Sequence, residues 1–318
     1  MSGEYGRPWT GARVGTEVEA GTNSAKVSIV LLDYNTHGLV LDCLRSMRNL
    51  RIPDFEVVLL DNGSREFDPR PFAEAWPGVV IRSVADNLGP ALGYNRAVEA
   101  ATGEYILLLD SDTLFPESNR AEELVAHLDA HPEYAAAAPL TVNAQGVVDP
   151  WQAVYFPAVW RMVASVPARM LAERVPRLRP LLGRVAVNLG PLADRDVDAT
   201  CFAATLVRRS CFEAVGGFST EYFMFYEDTD LSKKFQVRNW PIRWIVGARV
   251  VHLGGGSSTD STERDRRYVR SQEIYFRKWK GRTGVWLLRL IRLPFRALPA
   301  MERWQRVGPA AERLPGPG

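Results

Sequence analysis

The sequence predicts an α/β fold of Rossmann-like type: a mostly parallel central sheet flanked by helices, with a helical extension at the C-terminal end. Three observations predict it. Short β-branched and apolar runs recur through the first half of the chain, stretches with helical spacing separate them, and polar or acidic residues stand where each run expires. Strands alternating with helices of about 10 to 15 residues make βαβ units, and such sheets gather their functional groups at the carboxyl ends of the strands.

The first strand is Val27 to Leu32, followed by Asp33-Tyr34-Asn35 and a helix carried by Leu39, Leu41, Leu44 and Met47. Phe55 to Leu60 is the second strand and ends in the turn sequence Asp61-Asn62-Gly63-Ser64. Val79 to Arg82 is the third, after which Asn87-Leu88-Gly89 opens a helix from about Ala91 to Ala101. Tyr105 to Leu109 is the fourth, an unbroken apolar run as expected of a strand buried on both faces. A helix follows from Pro116 to Asp129, then strands at Tyr134 to Leu140 and Asp198 to Val207. A short helix ends at Gly216-Gly217-Phe218, and another begins at Tyr226-Glu227-Asp228-Thr229-Asp230-Leu231. Trp244 to Val246 and Ala248 to Val251 lead to His252 and a glycine run. Residues 1–24 lack periodicity and are set aside as a flexible leader, 25–265 form the folded domain, and 266–318 are a basic amphipathic extension.

Composition excludes several classes. Among 318 residues, 39 Lys and Arg face 37 Asp and Glu, so no strong basic field points to nucleic acid. The three cysteines, Cys43, Cys201 and Cys211, form no CxxC pair, which argues against a disulfide framework or a zinc site and for a reducing cytoplasm. No apolar run reaches the roughly 18 residues that span a bilayer.

The chemistry concentrates after the fourth strand, at Asp110-Ser111-Asp112. Two carboxylates on one turn can share Mg²⁺ or Mn²⁺ and leave positions open for phosphate oxygens, or they simply close the strand as an acidic turn. The loop after the first strand contains no G-x-G-x-x-G, which removes the dinucleotide-binding reading. Glu227, Asp228 and Asp230 fall in a first helical turn, where the helix dipole favours acids and where one of them can also serve as a general base. His252, directly before glycines, is either structural or a metal ligand. Between residues 150 and 195, Trp151, Tyr155, Phe156 and Trp160 precede many arginines, which suits binding of sugar, phosphate or membrane as well as plain packing.

Taken in order, Tyr34-Asn35, Asp61-Asn62-Gly63-Ser64, Asn87-Leu88-Gly89 with Asn95, Asp110-Ser111-Asp112, Gly216-Gly217-Phe218, Tyr226 to Asp230 and His252 with its glycines resemble the inverting family-2 glycosyltransferases of the GT-A fold, over roughly residues 26 to 258. Within that family the sequence is most similar to the rhamnosyltransferase branch. The resemblance implies a nucleoside-diphosphate sugar donor, dTDP- or UDP-linked, and a glycan, lipid-linked or secondary-metabolite acceptor in cell-wall or polysaccharide biosynthesis. It also implies Mn²⁺ or Mg²⁺ on Asp110, Asp112 and His252, with Asp112 the direct ligand. Tyr34, Asn35, Asp61, Asn87, Asn95, Asp110 and Ser111 fall at the nucleotide-sugar site, Asp228 at the catalytic base, and Glu227 where hydroxyls are oriented.

Pro90 replaces a common aromatic and Asp33 a common Asn, so the donor site departs from the family pattern. Gln236 to Trp240 has its Arg one place early for a QxxRW processivity motif and follows Asp228 too closely. The competing functions are a sugar nucleotidyltransferase and a non-catalytic glycan-binding protein. The extension, with Trp279, Trp286 and many arginines, suits peripheral contact at the inner face of the plasma membrane, cover for the core, or a homodimer contact.

Overall fold

The computed structural model describes residues 25–52, 54–149, 152–182, 192–254 and 261–296. The expected leader, the glycine run from Gly255 with Ser257 and Ser258, and the extension beyond Arg296 lie outside the described residues.

The chain opens with β1 (Val27–Asp33), α1 (His37–Ser46), β2 (Phe55–Asn62), α2 (Arg70–Ala75), β3 (Val80–Val84), α3 (Gly89–Val98) and β4 (Tyr105–Leu109). It continues through β5 (Thr113–Leu114), α4 (Glu122–Ala130), β6 (Ala136–Val142), β7 (Ala153–Val154), α5 (Val159–Arg174), α6 (Arg179–Leu182), β8 (Arg195–Val197) and β9 (Ala199–Thr200). The last elements are β10 (Ala204–Arg208), α7 (Arg209–Ala214), α8 (Glu227–Val237), β11 (Ile242–His252) and α9 (Ser261–Arg296).

The main sheet has the order β3, β2, β1, β4, β10, β6, β11, β5, with β8 beside the start of β11. From β3 to β4 every pairing is parallel, and β6 and β11 also pair in parallel. The expected strand from Asp198 to Val207 divides into β9 and β10, and β10 runs antiparallel to both β4 and β6. The reason is where the chain has been. β6 delivers it to the carboxyl edge, and β10 starts back from that edge, since Ala204 lies opposite Leu109. The expected helix at Pro116 starts only at Glu122, because Arg120 has φ of 51° and the Asn119 side chain accepts from the Ala121 amide.

Alternate side chains of the parallel strands fill opposite faces. Ile29, Leu31, Leu59 and Leu107 pack with Val40 and Leu44 of α1, while Val30, Val58, Ile106 and Leu108 pack with Ala91, Tyr94 and Ala97 of α3. Each such aliphatic side chain contributes about 1.5–3 kcal/mol on burial. Cover on both faces explains why β4 reads as a continuous apolar run.

A third cluster joins Phe156, Tyr222 and Tyr226 to Tyr275, Phe276, Val285 and Leu288 of α9. One face of the C-terminal extension therefore covers core. Its helix bends at Gly281, whose φ of 67° and ψ of −171° are non-helical.

Candidate active site

β4 stops because its next amide, on Asp110, is taken by Ala203 O at 3.0 Å and Thr113 N turns back to Asp110 O at 3.1 Å. The turn hands the chain to β5, which pairs antiparallel with the end of β11, Thr113 opposite His252. That pairing brings the imidazole to the acids. His252 Nε2 is 3.1 Å from Asp112 Oδ1 and 3.8 Å from Asp110 Oδ2. One donor atom from each of the three lies within 4.8 Å of the others. Two carboxylate oxygens and one imidazole nitrogen suit a divalent cation, and the nitrogen favours Mn²⁺ over Mg²⁺.

Burial works against a charged His252, but Asp112, Asp149 and Asp110 outweigh it and carry its pKa up to about 10. A cation on these groups takes the place of that proton. Burial, then the neighbouring Asp112 charge, pushes the Asp110 carboxyl up to about 6, with Asp228 adding to the rise. Two further residues support the cluster, and sequence reading passed over both. Tyr94, buried on α3, donates its hydroxyl to Asp110 Oδ1 and Leu109 O, each at 3.0 Å. Asp149 Oδ2 lies 3.7 Å from the other ring nitrogen of His252. Tyr94 reads in the sequence as one more apolar helix position, and Asp149 carries no signal at all.

Glu227 and Asp228 open α8 behind two consecutive left-handed residues, Phe225 and Tyr226, with φ of 70° and 67°. Such backbone costs on the order of 1–3 kcal/mol per residue and needs firm packing. The packing comes from α9: Ser271 Oγ donates to Met224 O at 2.7 Å, Gln272 donates to the Tyr226 hydroxyl, and Tyr268 stands against both Phe225 and Tyr226.

Burial raises both carboxyls of the pair. They are not equivalent, however. Thr229 donates its amide (2.5 Å) and its hydroxyl (3.1 Å) to Asp228 Oδ1, whereas Glu227 Oε2 is buried with no partner among the described residues. The donors hold negative charge on Asp228 and leave the proton to Glu227. The third acid has a different task. Asp230 is fully buried and accepts from Ser219, Tyr222, Lys278 and Trp279, fixing α8 to α9.

The remaining predicted residues spread along the edge. Tyr34 is exposed. Asn35, with φ of 56°, exchanges hydrogen bonds with Ser64 Oγ and the Arg65 amide, joining the loops after β1 and β2. Asp61, opposite Asp33 across the two strands, is buried, which raises its pKa, and accepts from Ser64 N at 3.0 Å. Ser111 Oγ is 3.3 Å from Thr36 Oγ1. Asn87 accepts from the Gly89 amide and from Asn62. Asn95 binds both backbone groups of Phe218, at 2.8 and 2.9 Å, and so clamps α3 to the Gly216-Gly217 turn. An open cavity of about 790 Å³ beside Asn35, lined also by His37, Arg65 and Phe72, touches none of the acid cluster.

The sequence matches glycosyl transferase family 2 over residues 28–174, and glycosyl transferase family group 2 over residues 105–301, more than half of the chain. The chain is a family-2 glycosyltransferase.

This glycosyltransferase is 27% identical over 210 residues to an N-acetylglucosaminyl-diphospho-decaprenol L-rhamnosyltransferase of Mycobacterium tuberculosis, a match covering 62% of this chain and 66% of that one, just under two thirds of the relative's length. It is 34% identical over 93 residues to a poly(ribitol-phosphate) beta-glucosyltransferase of Bacillus spizizenii, covering 27% of this chain and 15% of the relative. Among solved structures, a mannosyltransferase from Pyrobaculum calidifontis in complex with GDP-Man and Mn²⁺ matches with a TM-score of 0.53 at 17% identity, over 95% of this glycosyltransferase and 74% of that chain. The shared architecture is the GT-A fold, a central sheet flanked by helices.

Proposed function

We propose that this glycosyltransferase moves a sugar, with inversion and in a metal-dependent way, from a nucleoside-diphosphate sugar to a hydroxyl of a glycan, lipid-linked or secondary-metabolite acceptor. One observation carries the reading: Asp110, Asp112 and His252 bring two carboxylate oxygens and one imidazole nitrogen within 4.8 Å of one another where β4 ends. Asp228, the group that would take the proton, opens α8, and its charge adds to the rise of the Asp110 pKa.

Asp228, kept charged by Thr229, accepts the proton of the acceptor hydroxyl as that oxygen bonds to the anomeric carbon. The bond from that carbon to the diphosphate oxygen breaks in the same step, which inverts the centre. Glu227, protonated, donates a hydrogen bond to a sugar hydroxyl. Asp110, Asp112 and His252 would hold Mn²⁺ or Mg²⁺, which when bound neutralises charge growing on the diphosphate. Tyr94 orients Asp110. Tyr34, Asn35, Asp61 and Ser111 shape the nucleotide side; Asn87 and Asn95 act through the loops they fix.

The donor we propose is dTDP- or UDP-linked, with rhamnose first on the likeness to the mycobacterial L-rhamnosyltransferase. A role in cell-wall or polysaccharide biosynthesis is proposed on the same likeness, and a cytoplasmic place on the scattered, unpaired cysteines; no described helix is long and apolar enough to cross a membrane. A thermal-shift screen of nucleoside diphosphates with and without Mn²⁺ tests the proposal, since a ligand of the folded state raises the melting temperature. A rise with dTDP or UDP that needs Mn²⁺ supports it. No rise with any nucleoside diphosphate would overturn it.

A further inference from the structure

Two elements far apart in the sequence present the same kind of outer face. On α5, Trp160, Val163 and Leu171 form one exposed stripe, with Trp160 and Val163 each 57% exposed. Their spacing of three, then eight, keeps them on one side of the helix. Beyond the bend at Gly281, Trp286, Leu290 and Leu293 form a second stripe, 62%, 46% and 55% exposed. Both helices rest on the same cluster, Val159 and Met162 of α5 beside Val285, Leu288 and Ile291 of α9, so both stripes face away from it. The short α6 adds Leu181, also exposed.

Charge tells what this face meets. From Arg277 to Arg296 the sequence holds Arg277, Lys278, Lys280, Arg282, Arg289, Arg292 and Arg296 and no acid. From Val159 to Leu182 it holds Arg161, Arg169, Arg174, Arg177 and Arg179 against Glu173 alone. Arg174, Arg177, Arg277, Lys280 and Arg282 are exposed, and Arg289 remains mostly exposed although it pairs with Glu273. Even with Arg161 paired to Asp198 and both Arg289 and Arg292 to Glu273, the excess is positive, and a protein partner of ordinary mixed charge offers no match to it over bare tryptophan and leucine. An anionic lipid surface does, since it attracts the arginines and receives the apolar stripes at the headgroup boundary.

We propose that the outer faces of α5 and the second half of α9 dock this protein on an anionic bilayer, with Trp160 and Trp286 as interfacial anchors. The surface stands apart from the proposed reaction, but α9 carries both duties. Its first half holds the Met224 to Tyr226 turn ahead of Glu227, and its second half lies on lipid.

The test is flotation of the full chain with phosphatidylglycerol vesicles and with phosphatidylcholine vesicles. The protein should float with the first, not with the second, and lose binding in high salt. The triple variant Trp286→Ser, Leu290→Ser, Leu293→Ser should reduce the bound fraction about tenfold. Its melting temperature and its response to nucleoside diphosphate with Mn²⁺ should not change, which separates this surface from the active-site reading. Should the triple variant fail to fold, Arg174→Glu with Arg177→Glu on the other helix should give the same loss. Wild-type protein that stays at the bottom of the gradient with anionic vesicles overturns the proposal. So does light scattering that finds a dimer in the wild type and a monomer in the triple variant, because the face then belongs to a second copy.

Discussion

His252 Nε2 stands 3.1 Å from Asp112 Oδ1 because β5 and β11 pair with Thr113 opposite His252. A two-residue strand thus decides whether the acids after β4 meet an imidazole. Asp112→Ala or His252→Ala should weaken Mn²⁺ binding, read by electron paramagnetic resonance, by more than tenfold. The bound is set by outer partners of a metal ligand, which alone are worth about 10- to 100-fold. Unchanged Mn²⁺ affinity in both variants would remove the cluster as the metal site.

Asp149 bears on the far nitrogen of the same ring at 3.7 Å. A carboxylate there fixes which nitrogen of His252 faces the acids. Asp149→Ala should lower Mn²⁺ affinity about tenfold with little change in melting temperature. A variant that lost stability but kept its Mn²⁺ affinity would mean that Asp149 only supports its loop.

Asp230 is a carboxylate with no exposed surface and four side-chain donors, two of them from α9. Replacing it with Ala strands those donors, Lys278 among them, and breaking a buried charge pair of this kind costs about 3–5 kcal/mol. Lys278 is partly exposed, so the lower end applies. Urea unfolding should show a loss of about 3 kcal/mol, and limited proteolysis should cut α9 sooner. A loss under about 1 kcal/mol would mean that the α8–α9 junction is held elsewhere.

The parallel half of the sheet was readable because its apolar runs stop at Asp33, Asp61 and Asp110, and local pattern fixes both the strand and its end. The direction of β10 was not, since a strand's own residues do not say from which edge the chain arrives. The cluster of Asp110, Asp112 and His252 came from motifs, yet what joins it, the β5 pairing, is too short for any pattern. The family motif places Asn95 beside the nucleotide pocket, and its bonds to both backbone groups of Phe218, 123 residues on, are a long-range contact that no local pattern shows. Asp230 and Glu227 look alike in the sequence; Ser219, Tyr222 and, from a distant helix, Lys278 and Trp279 separate their roles.

Gly89 has φ of 73°, and a Cβ there would run into the Phe223 carbonyl, just ahead of the turn that carries the candidate base. Backbone cannot swing aside as a side chain does. Gly89→Ala should therefore cost stability, about 1–2 kcal/mol for the left-handed backbone alone, and lower kcat more than donor affinity by shifting Asp228. Calorimetry and initial rates check this; a variant with wild-type kcat would show that α3 and the Phe223 turn are not coupled.

Glu227 and Asp228 both carry folded-state pKa values raised by burial, Glu227 also by the Asp228 charge. The sign for stability follows from linkage: an acid with a raised folded pKa contributes fully below its unfolded value, near 4.3 for Glu, and the contribution is lost as pH rises through the folded value. Glu227→Gln removes that loss, so its melting temperature relative to wild type should climb across this window and stay level below it. Activity has the opposite dependence, because Asp228 must be ionised to accept a proton. The acid limb of kcat/KM should lie above the ordinary carboxylate range in the wild type and persist in Glu227→Gln, while Asp228→Asn abolishes transfer at every pH and still binds donor. An Asp228→Asn enzyme that kept the wild-type pH profile would place the base on another residue.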